Sequence, residues 1–212
     1  MVLVSHIYKF IYLKNYKVAG SSVESFFGQF CIDPSKIHEY RFDDKQDEHI
    51  SEFGILGSRM SAVKTPWFNH KNASDIQRDL GHDKFNTYFK FCVVRNPYDL
   101  MVSSYFWDKL DIDFKTYCQN YAHNYDRLNS SRIFINNKPI CQYYIRYENL
   151  LDDIIVVLEK LGIKDYTIED LPNHKSGVRP SGDSYRKYYD DETRAIVKRL
   201  FRQEIDLFGY KF

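Results

Sequence analysis

Two short stretches carry residue types and spacings suited to holding anions. The first is Lys17-Val18-Ala19-Gly20-Ser21-Ser22. Small residues let main-chain N–H groups close around an oxyanion, and a helix start adds partial positive charge. The serine hydroxyls add donors, and Lys17 adds a full, mobile charge. The order is not that of a Walker A loop, in which the lysine follows the glycines. Taken alone, the hexapeptide reads equally well as a plain strand-to-helix turn. The second stretch is Arg95-Asn96-Pro97-Tyr98, followed by Ser103-Ser104-Tyr105. Arg95 stands where a hydrophobic run ends. Ser103 falls about two turns into the next helix, on a face that can look back at the strand end. A guanidinium fork and a hydroxyl together form a two-pronged phosphate clamp. The plain alternative is a helix-start arginine in a surface ion pair.

The elements that must position these residues are legible in outline. Ile7 to Leu13 is a β-rich apolar run, and a glycine-containing loop follows. Ser21 or Ser22 can cap a helix running to about Phe30, with Glu24 in its first turn. Tyr88 to Val94 is the clearest buried strand, and Pro97 suits the first turn of the helix after it. Helices are expected over 72–80, 113–122, 151–161 and 190–207. A hairpin is expected around Asn136-Asn137-Lys138-Pro139, although Ile140 to Arg146 can instead enter the main sheet. Residues 33–52, 58–70 and 171–187 read as loops. Strands alternating with helices imply an α/β, three-layer fold, with a largely parallel sheet flanked by helices. Ligands in such sheets bind at the carboxyl ends of the strands, here after Leu13 and Val94.

Composition narrows the classes. A chain of 212 residues is read as one domain spanning 1–212. The net charge of +1, from 30 basic and 29 acidic residues, excludes a general polycationic nucleic-acid or membrane binder. Mean hydropathy is −0.53 and no apolar run approaches the length of a membrane span. The N-terminus lacks a signal-peptide pattern, so a soluble, cytoplasmic protein is expected. Cys31, Cys92, Cys118 and Cys141 form no C-x-x-C pair, which argues against a zinc or dithiol redox site. Aromatic residues make up 17% of the chain and are read first as core and rim packing.

The two motifs, in this order, resemble those of the PAPS-dependent sulfotransferases, most closely the carbohydrate branch called sulfotransferase family 2. The resemblance extends to Asn69-His70-Lys71-Asn72-Ala73-Ser74-Asp75-Ile76, Tyr88 through Asp99, Tyr144 through Leu150, and Tyr188 through Tyr210. Matching is poor over 31–68 and 108–140. The family has proline before the lysine where this chain has Tyr16, and a histidine where it has Lys14. The resemblance implies the P-loop NTPase-like sulfotransferase fold and PAPS as co-substrate, with no metal required. It assigns the 5'-phosphosulfate to Lys17, Ala19, Gly20, Ser21 and Ser22, and the 3'-phosphate to Arg95 and Ser103. A late basic loop contributes Lys175 and Arg179, with His174, Arg186 and Lys187 behind them. Lys17 would neutralise the leaving oxygen, and His70 would be the base that deprotonates the acceptor. Glu24 is the weaker alternative base, and Glu148 is read as structural. The acceptor implied is a carbohydrate hydroxyl. Two other classes stay open: a P-loop kinase for a nucleotide or small metabolite, and a non-enzymatic binding module.

Overall fold

The computed structural model describes residues 2–41, 43, 45–61, 65–123, 127–167, 171 and 184–212. Its centre is a six-stranded sheet built from β1 (Leu3–Ser5), β2 (Phe10–Leu13), β3 (His49–Ile50), β4 (Gly54–Leu56), β5 (Phe89–Val94) and β8 (Tyr143–Arg146), in the order β3-β4-β1-β2-β5-β8. β2, β5 and β8 run parallel, with Phe10 opposite Phe89 and Phe91 opposite Tyr143. β1 is antiparallel to both β2 and β4, and β3 is antiparallel to β4.

The sheet is therefore mixed, which corrects the expectation of a largely parallel one. The apolar run at Ile7 hides a turn. The chain enters as β1, reverses through residues 6–9 with Lys9 at φ 52°, and returns as β2. β4 escapes a hydrophobicity reading because it is three residues long and begins with glycine. That glycine is required: a Cβ on Gly54 would lie 2.3 Å from the Val4 carbonyl oxygen and 2.6 Å from that of Cys31.

Both faces of the sheet are covered. Phe10 and Tyr12 of β2, Phe91 and Val93 of β5 and Ile145 of β8 point to one side. There they meet α1 (Gly20–Phe27), α4 (Pro97–Asp108), α5 (Phe114–Tyr121), α7 (Leu150–Leu161) and α8 (Asp191–Leu200). Ile11, Leu13, Cys92 and Val94 point to the other side, against α2 (Ala73–Leu80), α3 (His82–Thr87) and α6 (Ser130–Ile133). Strands buried on both faces read as unbroken apolar runs, as Phe91–Val94 does. The architecture is α/β, with the sheet sandwiched between helices. Among the described residues no helix is long and apolar enough to cross a membrane.

The hairpin around Asn136 and Asn137 forms as β6 (Phe134–Ile135) with β7 (Lys138–Pro139), while Tyr143–Arg146 joins the main sheet separately. Both asparagines sit in the left-handed region that such a tight turn demands. The last helix divides at Phe201 into α8 and α9 (Arg202–Phe208). The break lets Ile196, Val197 and Phe201 bury on one face of the sheet and Phe208 on the other. Asp190 caps α8 in a reciprocal pair with Thr193.

Candidate active site

β2 and β5 end side by side, so the loops after Leu13 and Val94 emerge together. Asn15 ties them by donating from Nδ2 to the Val93 carbonyl at 2.9 Å. The loop from Lys14 to Ala19 holds two non-glycine residues at positive φ, Lys17 at 58° and Ala19 at 59°. Such residues are uncommon and strained by about 1–3 kcal/mol each, and they gather at binding sites. Ala19 is left-handed and is followed directly by helical Gly20, the alternation that aims successive N–H groups into one concavity. The N-cap of α1 is thus Ala19, without a side-chain cap, and not Ser21 or Ser22. Both serines lie inside the first turn and are buried. A Cβ at Gly20 would lie 3.1 Å from the Lys14 side chain, which crosses closely over this position.

Lys14 crosses Gly20 to reach Glu24, which its Nζ meets at 2.6 Å. Arg59 Nη2 pairs with the same carboxylate oxygen. Glu24 is fully buried in this triad, in the second turn of α1 and not the first. A carboxylate held between two cations is a structural anchor for the loop; it presents no open face to an acceptor.

Arg95 meets the loop directly. Its Nη1 donates to the Lys17 carbonyl at 2.9 Å, its Nε donates to Asp99 at 2.7 Å, and its guanidinium lies 3.9 Å from the centroid of the Tyr147 ring. Asp99, Ser103 and Trp107 follow at four-residue steps along α4 and share one face. The opposite face, with Leu100, Met101 and Ser104, is buried. The Lys17 ammonium rests 4.0 Å from the Trp107 ring centroid, at the far end of the same stripe. Lys17 therefore spans the stripe, with its carbonyl at the Arg95 end and its ammonium at the Trp107 end. Its charge also reaches Asp108. Burial would raise that carboxyl, but bonds from Arg127 and Tyr117, with Lys17 behind them, hold it below the ordinary range.

His70 joins the loop from the second core face. Its Nδ1 lies 3.1 Å from the Lys14 carbonyl oxygen, and its ring stacks on Tyr16 with centroids 3.8 Å apart. Its φ is 59°, so it too sits in the left-handed region. Burial, then the charges of Lys14 and Arg132, push its pKa well below the ordinary histidine value. The imidazole is neutral at pH 7.

The structure joins the Lys17–Ser22 loop to Arg95, sets Ser103 on the α4 face between Asp99 and Trp107, and places His70 against the Lys14–Tyr16 end of the same loop. Lys175, Arg179 and His174 lie outside the described residues. Arg186 packs on the Tyr185 and Phe212 rings and Lys187 on Tyr188, in a short 3₁₀ turn (Tyr185–Tyr188). That turn borders the site through Tyr185, whose hydroxyl lies 3.4 Å from Asn96 Nδ2. Glu148 is structural: it accepts from the Asn96 N–H at 2.7 Å and from the Tyr210 hydroxyl at 3.2 Å. Sequence reasoning did not give roles to Asp99, Tyr147, Asn129 or Arg132. The four-residue step from Arg95 to Asp99 was a usable signal for the first; the rest are long-range and leave no local one. A groove of about 390 Å³ lined by Gln77, Lys90 and Gln142 lies at the amino end of β5, away from these loops.

No family model matches the chain, and no solved structure matches it. It is similar to an uncharacterized protein of Archaeoglobus fulgidus, 31% identical over 97 residues, which cover 42% of this chain and 81% of the archaeal one. The chain belongs to the same family as that protein, whose name carries no activity.

Proposed function

We propose that this protein is a PAPS-dependent sulfotransferase that moves a sulfuryl group to an acceptor hydroxyl, on a carbohydrate by its family resemblance, and releases PAP. The observation that carries the reading is the contact of Arg95 with Lys17 where two parallel strands end. It unites the two motifs that the resemblance assigns to the two ends of one nucleotide.

The donor set suits the ligand. Main-chain amides at the Ala19–Gly20 turn, a lysine, an arginine and hydroxyls make a site for a polyanion. Bound PAPS supplies the activated sulfuryl group and a phosphate leaving group. Lys17 offsets the negative charge that grows on the leaving oxygen, a term that commonly dominates such reactions. Arg95 brings its guanidinium charge to the phosphate while Asp99 and the Lys17 carbonyl keep it oriented. Ser103 adds a donor on the same helix face. His70 accepts the acceptor's hydroxyl proton. A carbonyl can only accept, so Nδ1 carries the hydrogen toward Lys14 and Nε2 keeps its lone pair for the reaction.

Thermal shift with PAP, ATP with magnesium, and NAD gives the first test. PAP without metal raises Tm in a sulfotransferase, whereas a kinase responds to ATP with magnesium. An acceptor screen with labelled PAPS then identifies the hydroxyl. Stabilisation by ATP with magnesium and none by PAP overturns the assignment.

A further inference from the structure

Tyr16 occupies the place where the resemblance leads one to expect proline, and the structure gives the substitution a use. Its ring lies nearly parallel to the His70 imidazole, with an interplanar angle of 17° and centroids 3.8 Å apart. The Arg132 guanidinium packs on the same tyrosine ring at 4.6 Å. Arg132 also donates from Nε to the His70 carbonyl at 2.8 Å and from Nη1 to the Leu128 carbonyl at 2.8 Å. Asn129, itself buried, brackets the Tyr16 main chain from both sides. Its Oδ1 accepts from the Tyr16 N–H at 2.7 Å, and its Nδ2 donates to the Tyr16 carbonyl at 3.3 Å. The tyrosine is therefore held by its backbone and clasped by its ring.

An imidazole on a flexible stem has two things to settle: the direction of its in-plane nitrogens and the tilt of its plane. The Lys14 carbonyl settles the first through Nδ1. A parallel aromatic face settles the second, because ring tilt would lose the stacking contact. We infer that Tyr16 is a positioning residue for His70: its stacked face fixes the imidazole plane, while the Lys14 carbonyl engages Nδ1 and leaves Nε2 for proton transfer. The catalytic consequence rests on the sulfotransferase reading above; the geometry does not. Proline could not supply this face, so in this chain the aromatic ring does work that is absent from the pattern it departs from.

Two measurements test this separately from the activity. Nitrogen-15 NMR of the imidazole in the wild-type protein reports the tautomer directly. A proton on Nδ1 at pH 7 supports the assignment, and a proton on Nε2 overturns it whether or not the protein transfers sulfuryl groups. Removing the stacked face by Tyr16→Leu should mobilise the ring and broaden its imidazole signals, whereas Tyr16→Phe should leave the spectrum unchanged. In turnover with PAPS, misplacing a reacting group should lower kcat by about 10- to 100-fold in Tyr16→Leu. PAP affinity should hold, and Tyr16→Phe should retain wild-type turnover. The decisive control is the His70→Ala background, in which Tyr16→Leu should cause no further loss. An equal loss with and without His70, or a Tyr16→Phe variant as slow as Tyr16→Leu, would show that Tyr16 merely supports the loop.

Discussion

Arg95 Nη1 donates to the main-chain carbonyl of Lys17 at 2.9 Å, across 78 positions of sequence. The bond makes the two loops a single unit, so the arginine proposed to grip one end of a nucleotide also shapes the loop proposed to grip the other. The same guanidinium is braced by Asp99 and lies on Tyr147, so its fork is oriented before any ligand arrives.

Arg95→Ala should therefore weaken PAP more than the loss of one surface cation would. A charge-assisted bond contributes about 1.5–3 kcal/mol, or roughly a 10- to 100-fold rise in Kd. Arg95→Lys should recover little of it, because an ammonium cannot reproduce the planar fork. Calorimetric titration with PAP measures both. Unchanged affinity in Arg95→Ala would remove the 3'-phosphate from this site.

Lys17 makes a different prediction, because its ammonium sits on a half-exposed tryptophan. To neutralise a leaving oxygen it must move off the Trp107 ring. Binding of PAP should change Trp107 emission, while Trp67, buried against Lys71, reports little. The Trp107→Phe variant should lose the signal. Lys17→Ala should lower kcat by about 100- to 1,000-fold, the size seen when an oxyanion donor is removed. A Lys17→Ala variant with normal turnover would refute its role.

With His70 as the proposed base, its lowered pKa should set the acid limb of the rate profile. An ordinary histidine would lose its basic form as pH falls through 6.5. Here burial and the charges of Lys14 and Arg132 oppose protonation, so the imidazole stays neutral below that value. The pH dependence of kcat/KM should be flat through pH 6.5 and fall only at lower pH. A limb centred at or above 6.5 would mean that another group supplies the base.

The parts legible in the sequence were those written in local patterns. Phe89–Val94, Pro97 at the start of α4 and Lys17 with the small residues 19–22 each carry their signal within a few positions. β1 and β4 were missed because three-residue strands owe their existence to partners, not to their own hydrophobicity. The sense of the sheet was lost with them. Glu24 reads locally as a first-turn residue and an alternative base, while Lys14 and Arg59, which decide its state, lie 10 and 35 positions away. His70 was legible as a candidate, yet the tyrosine stacked on it was visible only as a departure from a pattern.

The buried triad under the loop predicts a large stability effect with a specific sign. Glu24 has no exposure, and Lys14 and Arg59 are nearly as buried. Glu24→Gln would leave two interior cations without their shared anion, which typically destabilises by about 3–5 kcal/mol. Urea denaturation should show a lower midpoint with an unchanged slope. A midpoint within experimental error of the wild type would mean that the carboxylate is not ionised.

Glu204 on α9 predicts the opposite pH response to that of a surface carboxylate. Burial pushes its pKa up to about 7, from an ordinary 4.5. Its Oε1 and the Oδ1 of Asn15 are both buried without a hydrogen-bond partner among the described residues, and both residues line one cavity of about 10 Å³ behind Arg95. Between pH 4.5 and 7 the folded protein holds this proton and the unfolded chain does not. The stabilisation is complete below 4.5 and is lost as pH rises through 7, a total on the order of 3 kcal/mol. His70 works in the reverse sense, losing stability as pH falls below its unfolded value, so the wild-type profile alone mixes the two. Subtracting the Glu204→Gln profile isolates the carboxyl, because the amide matches its volume and cannot ionise. The difference should favour the variant at pH 8 and shrink toward pH 5. A difference that stays constant across that range would show that Glu204 is already ionised in the folded protein.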